Sequence, residues 1–429
     1  MRIAIVGSGI SGLACAHALR ERHDVVLLEA DDRAGGHAHT HELTLVGRRL
    51  RVDSGFIVCN DRTYPGFLGL LRELGVPLRE TSMSFSVSAR EHDFEYHGDS
   101  LSGLFAQRRN ALDPRFLRMV AEYARFNRVA RRVLEQGDET TSLRELLRRE
   151  RFSPWFAERL IVPQASAVWS ADPEQLWSFP ALFLLRFFAN HGMLSLRDRP
   201  TWLTVDGGSA RYVEALLAPF GERLRLSAPV TGVARRDDHV LVRVGDRPPE
   251  RFDHVVLACH GDQALALLED PTAAESAILG AFPYRENRAT LHHDRRLLPR
   301  RRRAWSSWNA HLLERPKPAP TVTYDLHRLQ GLPALPDDQR LLVTLNLDEA
   351  IAPAAVLRRM TYQHPVFTSA GLAAQRRWGE ISGGLRERGR THFCGAYWRW
   401  GFHEDGCWSG LRVARALGGR RLAAAEVVA

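Results

Sequence analysis

Met1-Arg-Ile-Ala-Ile-Val6, Gly7-Ser-Gly9-Ile-Ser-Gly12, Leu13-Ala-Cys-Ala-His-Ala-Leu19 and then His23-Asp-Val-Val-Leu-Leu28-Glu29 open the chain, and their order decides the fold. Ile3, Ala4, Ile5 and Val6 form a short apolar run suited to a strand buried on both faces. Good helix formers fill 14–20, and 25–28 is a second apolar strand that ends on an acid. Gly7 makes the tight turn, Gly9 lets a pyrophosphate approach the backbone, and Gly12 lets the helix pack on the strand. Free N–H groups and the dipole at the helix start favour an anion. Glu29 is placed to accept hydrogen bonds from an adenosine ribose, and its charge disfavours a 2′-phosphate and hence NADP. FAD and NAD both satisfy this stretch.

A chain of 429 residues can bury a sizeable core and form about two domains. Its 45% hydrophobic and 25% charged content is that of a globular protein, and no apolar run reaches a membrane span. Arg2 before an apolar stretch mimics a signal peptide, but the glycines and the immediate strand argue against one. A cytoplasmic protein is expected. Five scattered cysteines without a CxxC spacing fit reduced thiols, and the 18 histidines include no HExxH, so no metal site is expected. The net charge is +9, carried almost wholly by arginine; Lys317 is the single lysine. No recognition motif accompanies this charge, which excludes nucleic acid and leaves the arginine-rich surface as a candidate for peripheral contact with the inner membrane face.

Further along, Gly35 and Gly36 follow the second strand, residues 43–52 alternate around Gly47 as a hairpin, and Gly55-Phe56-Ile57 ends another strand. Residues 101–151 are mainly helical, with Phe116, Met119, Val120, Tyr123 and Phe126 at three- and four-residue spacing and arginines on the other face. Core packing is the ordinary use of such a face, and a membrane-surface helix the other. Phe179, Phe183, Phe187 and Phe188 fall on one helical face, either core or the lining of an apolar channel. Gly207-Gly208 precedes a helix, and the apolar strand 254–258 suits a return to the N-terminal sheet. The four arginines at 300–303 read as a solvated loop or an anion-binding edge. Near the end, 392–396 is a strand end, and Glu404, Asp405 and Ser409 are helix-start residues leading into a helix over 411–417.

Three separated stretches then coincide: the glycine loop with Glu29 and Gly35-Gly36, the middle Gly207-Gly208 with the 254–258 strand, and Gly395 through Ser409-Gly410. Together they resemble the FAD-dependent amine oxidase and phytoene desaturase superfamily over essentially the whole chain. The resemblance implies an α/β architecture, a Rossmann-like FAD-binding domain interleaved with an α+β substrate domain. The FAD domain is expected from 1–82, 200–275 and 375–429, and the substrate domain from 83–199 and 276–374. The phrases Ala167-Val-Trp169-Ser170, Pro299-Arg-Arg-Arg-Arg-Ala-Trp305, Tyr362-Gln-His364-Pro365-Val-Phe367 and Gly401-Phe-His403-Glu404-Asp405-Gly406 are similar to a bacterial group of NAD/FAD-binding proteins and to the N-terminal region of plant cyclopropane fatty acid synthases.

What the resemblance implies for the site is residue-specific. Gly7, Gly9, Ser11 and Gly12 hold the pyrophosphate; Glu29 and Ala30 take the ribose; Gly35, Gly36, His37, Gly55, Phe56 and Ile57 approach the ribityl and flavin. Val230 meets adenine through its backbone, and Gly395, Glu404, Asp405 and Gly406 line the ribityl and pyrimidine side. Amine oxidases place an acid after the glycine matching Gly395, where this chain has Ala396, and a lysine near flavin N5, where Lys317 is badly placed. Classical amine oxidation is therefore disfavoured. No cysteine lies just before Phe393, so non-covalent FAD is expected. His403, Glu404 and Tyr397 are the acid–base candidates, and Phe183, Phe187, Trp169 and Trp202 the substrate-lining ones. The expected activity is hydride transfer from a fatty acyl or other hydrophobic substrate. The alternatives are a redox-neutral double-bond isomerase, an amine oxidase, and a non-catalytic flavoprotein partner of a lipid methyltransferase.

Overall fold

The computed structural model describes residues 1–169, 173–195, 199–382 and 389–421; Ser170 of the quoted phrase lies outside them. The N-terminal run forms the middle strand of a five-stranded parallel sheet. Across it the order is Leu224–Arg225, Asp24–Leu28, Arg2–Val6, His254–Leu257 and Thr391–Phe393. Ile5 faces Leu27 on one side and Val256 on the other. The strand near 254 does return to the N-terminal sheet, and its apolar run Val255–Leu257 suits a strand covered on both faces.

The crossover helix Ile10–Leu19 is buried along its whole length. Its outer face is covered by the helix His403–Ala416. The two approach closely because Gly410 has no side chain; a Cβ there would collide with the Ser11 backbone. The later helix starts at His403, well before the expected 411. Phe402 is extended, and its N–H donates to Asp405 Oδ2 at 2.8 Å, closing the first turn. Ser409 is not a helix start but lies within the helix, where its Oγ accepts from the Gly395 N–H at 3.1 Å.

A second, seven-stranded sheet runs Val356–Pro365, Tyr284–His292, Leu342–Leu345, Val322–Asp325, Trp308–His311, Phe85–Ala89 and Phe94–His97. All neighbours are antiparallel except Trp308–His311 with Phe85–Ala89. Against it packs a helical layer including Pro114–Gln136, Val162–Trp169 and Ala181–Asn190. Asp113 caps the first of these by accepting from the Arg115 N–H, and Gly137 ends it in the left-handed region. Its apolar stripe, including Phe116, Met119 and Phe126, is core. The arginine run is a loop with exposed side chains at Arg300, Arg302 and Arg303, and its backbone is anchored. The N–H groups of Arg300 and Arg301 both donate to the buried Glu95 carboxylate at 2.9 Å. Among the described residues no helix is long and apolar enough to cross a membrane.

Candidate functional site

The site begins where the first strand ends. Gly7 has φ +102°, and a Cβ on it would sit 2.8 Å from the Ala258 carbonyl oxygen, so the turn requires glycine. A Cβ on Gly12 would collide with the Gly7 carbonyl, which makes Gly12 a packing residue; unlike Gly7, Gly9 and Ser11 it does not line the cavity. Gly9 faces open space, and as N-cap it supplies no side chain to the helix start. The first N–H groups of Ile10–Leu19 are thus left for an external anion. Glu29 Oε2 accepts from the Ser8 N–H at 2.8 Å and Oγ at 2.5 Å, and Oε1 from the Asp31 N–H at 3.1 Å. These bonds aim the carboxylate and leave lone pairs for a diol.

From this cradle a single cavity of about 1450 Å³ runs into the second sheet and the helical layer. Ala30, Gly35, Gly36, His37, Gly55, Phe56, Ile57, Val230, Gly395 and Gly406 line it, as do Tyr397 and His403. Glu404 and Asp405 do not, and the expectation for both is corrected. Glu404 accepts from the N–H groups of Gly66 and Phe67 at 2.9 and 2.8 Å, capping the helix Pro65–Glu73; Asp405 caps its own helix. Burial pushes their carboxyls up to about 7 and about 6. Phe183 is also turned away, packed on Trp169, Phe367 and Trp400, whereas Trp169, Phe187 and Trp202 line the cavity.

His403 stacks on Phe56 with centroids 3.7 Å apart and shares a 2.7 Å hydrogen bond through Nε2 with Tyr212 Oη. Burial lowers its pKa to about 3, so near neutrality it is an uncharged ring. Tyr397 Oη and His37 Nε2 are buried in the same cavity without a partner among the described residues. Burial holds the Tyr397 phenol well above its usual pKa, so it is a permanent donor. Lys317 stays outside, donating to the Asn346 carbonyl at 2.9 Å and pairing with Glu349. The second sheet adds Tyr362, Gln363 and His364 to the wall. Sequence reasoning gave these no role; the signal was the phrase at 362–367 itself.

The residues present fit an adenine dinucleotide carrying a ring system. The anion-ready helix start and the side-chain-free Gly9 face one end of the cavity, and partnerless polar atoms face the other. The model of the flavin-containing amine oxidoreductase family matches residues 10–306. The chain belongs to this family. FAD is its cofactor.

The chain is 27% identical over 278 residues to the Mycobacterium tuberculosis protein AofH, described as a flavin-containing monoamine oxidase. That match covers 63% of this chain, which spans 59% of the relative's length. Among solved structures, a putrescine oxidase redesigned in its cofactor binding superposes with a TM-score of 0.67 at 17% identity, over 97% of this chain and 99% of the other. A fatty acid isomerase of P. acnes that produces CLA superposes with a TM-score of 0.67 at 16% identity, over 96% and 98%. At these identities the structures show the fold.

Proposed function

We propose that this family member is an FAD-dependent oxidoreductase that dehydrogenates a long apolar substrate, a fatty acyl chain. One observation carries the reading: the cofactor cradle opens without a partition into an arm lined by Met83, Phe85, Met119, Val120, Leu160 and Phe187. Such an arm suits methylenes, each stabilised by about 0.8 kcal/mol on burial. Among the described residues, the carboxylates on the cavity wall are Glu29, Asp31 and Asp99. The first two belong to the ribose end, and Asp99 is paired with Arg199 at 3.1 Å. Among the described residues none is left to receive an ammonium group, which disfavours an amine.

The helix start at Gly9 to Ser11 holds the pyrophosphate, Glu29 the ribose, and Val230 the adenine. Gly36, Gly55, Phe56, Ile57, Gly395 and Gly406 leave room for the ring system. When bound, FAD supplies the two-electron acceptor. The protein supplies orientation: the Phe56–His403 stack fixes one wall, Tyr397 donates from Oη, and the N-terminus of His403–Ala416 adds a positive dipole end. The apolar arm excludes water. The likeness to the cyclopropane fatty acid synthase region supports a branched acyl chain and a lipid methyltransferase as partner within the same reading.

The test is direct. The purified protein carries a flavin spectrum, co-purifying lipid is identified by mass spectrometry, and anaerobic addition of that lipid bleaches the flavin band. A protein that neither contains nor takes up FAD overturns the reading, as does bleaching by amines but not lipids. The fatty acid isomerase with this fold favours a second reading, a redox-neutral shift of a double bond. It is distinguished by product formation with the flavin left oxidised.

A further inference from the structure

A chain of buried amides fixes a proton on the cavity wall. Asn346 Oδ1 accepts from the backbone N–H of Arg288 at 2.9 Å, and a backbone amide only donates, so that atom is the oxygen. Asn346 Nδ2 then donates to the Pro320 carbonyl at 3.0 Å, which only accepts, and to Asn287 Oδ1 at 2.8 Å. Asn287, fully buried, is left with Nδ2 to donate to His364 Nδ1 at 2.9 Å. His364 Nδ1 therefore has no proton, and the neutral ring carries its hydrogen on Nε2. Burial agrees, lowering the His364 pKa to about 4. Nε2 makes no hydrogen bond among the described residues, and the ring lines the cavity with its centroid 5.2 Å from that of His37.

We propose that His364 is a substrate-binding residue whose Nε2–H donates to an uncharged oxygen, a hydroxyl or carbonyl, on the apolar substrate, and that Asn287 and Asn346 are the positioning residues that fix this tautomer. The proposal rests on the apolar-substrate reading above. The neighbouring wall residues His37, Tyr362, Gln363, His260 and Tyr284 are uncharged, and burial lowers both neighbouring imidazoles. The cation on this wall, Arg33, acts on His37 and Tyr362 but is engaged by the Gly36 and Ala38 carbonyls, to which it donates at 2.8 and 3.3 Å. A neutral N–H in such surroundings stabilises a neutral acceptor but does not offset the desolvation of an ion. The site thus gives a hydrocarbon-rich ligand one polar fix at the junction of the two walls, where the 36–37 turn meets the second sheet.

Two measurements on the FAD-loaded protein test this. In [15N]histidine-labelled protein, long-range 1H–15N correlation, with His364 assigned by its loss in His364→Gln, is expected to show a bare Nδ1 and a protonated Nε2 at neutral pH. A protonated Nδ1 or an imidazolium overturns the relay. Asn287→Asp exchanges the donor for an acceptor and is expected to move the proton to Nδ1; if that variant does not fold, the wild-type spectrum decides alone. Separately, decan-1-ol and decane are titrated against the flavin difference spectrum. His364→Leu is expected to weaken decanol roughly tenfold and leave decane unchanged. Equal effects on both, or none, overturn the ligand assignment. Failure of both probes to bind wild type overturns the apolar-substrate reading and the ligand assignment with it, while the tautomer result stands separately.

Discussion

Glu404 shows what the linear sequence conveys about a residue and what it does not. Its place in the phrase at 401–406 puts it beside the site, and that much was legible. A helix that starts at His403 turns about 100° per residue, so 403 and 406 share the cavity side while 404 and 405 point elsewhere. The helix start, and hence the facing, depends on the Phe402–Asp405 closure, which alternation and spacing do not reveal. The buried Glu404 has a measurable consequence. Its folded pKa is raised from 4.5 to about 7, so between those values the folded state holds a proton that the unfolded state has released. Its stabilising contribution is complete below about pH 4.5 and is lost as pH rises through about 7, an effect on the order of 3 kcal/mol. The difference in unfolding free energy between wild type and Glu404→Gln, from urea titrations, is expected to shrink across that window in the direction of a weaker wild type. A pH-independent difference contradicts it. His403 behaves oppositely: its charge stays off above about pH 3, so His403→Gln is expected to keep the shape of the activity profile near neutrality.

Elements made of adjacent residues were readable, and elements made by distant pairing were not. Strand, glycine turn, helix and acid follow one another within 29 residues, and each has a local signature. The parallel pairing of Phe85–Ala89 with Trp308–His311 joins segments more than 200 residues apart, which no local pattern encodes. The contact between Ile10–Leu19 and His403–Ala416 is of the same distant kind, yet it left a trace in Gly410, whose missing side chain admits the Ser11 backbone. Gly410→Ala is expected to cost about 1–3 kcal/mol in denaturant unfolding and to lower the fraction of protein that retains FAD. Unchanged stability shows that the helices can shift apart.

Over the whole molecule, the composition anticipated a basic protein but not where its apolar surface is exposed. Leu101, Leu112 and Leu117 are 78%, 86% and 45% exposed, in a stretch that also carries Arg108, Arg109, Arg115 and Arg118. Leu101, which also lines the cavity, brings part of this exposed apolar surface to the cavity itself. A lipid substrate leads to the expectation that the protein floats with anionic vesicles at low salt and that Leu112→Asp with Leu117→Asp abolishes flotation. Flotation unaffected by the double substitution places the contact elsewhere. The aromatic stretch at 179–188 divides between two surroundings: Phe187 lines the cavity while Phe183 packs on Trp169, Phe367 and Trp400. The split has a physical basis, since one helical face is wide enough to meet two surroundings.

The sheet that carries the glycine turn is completed by segments far from it in sequence. Its middle strand is Arg2–Val6, its last strand ends at Phe393, and the helix that shields Ile10–Leu19 ends at Ala416. A single proteolytic nick ahead of Thr391 is therefore expected to uncover the cradle from the far end of the chain, so that FAD and the N-terminal sheet are lost in one step.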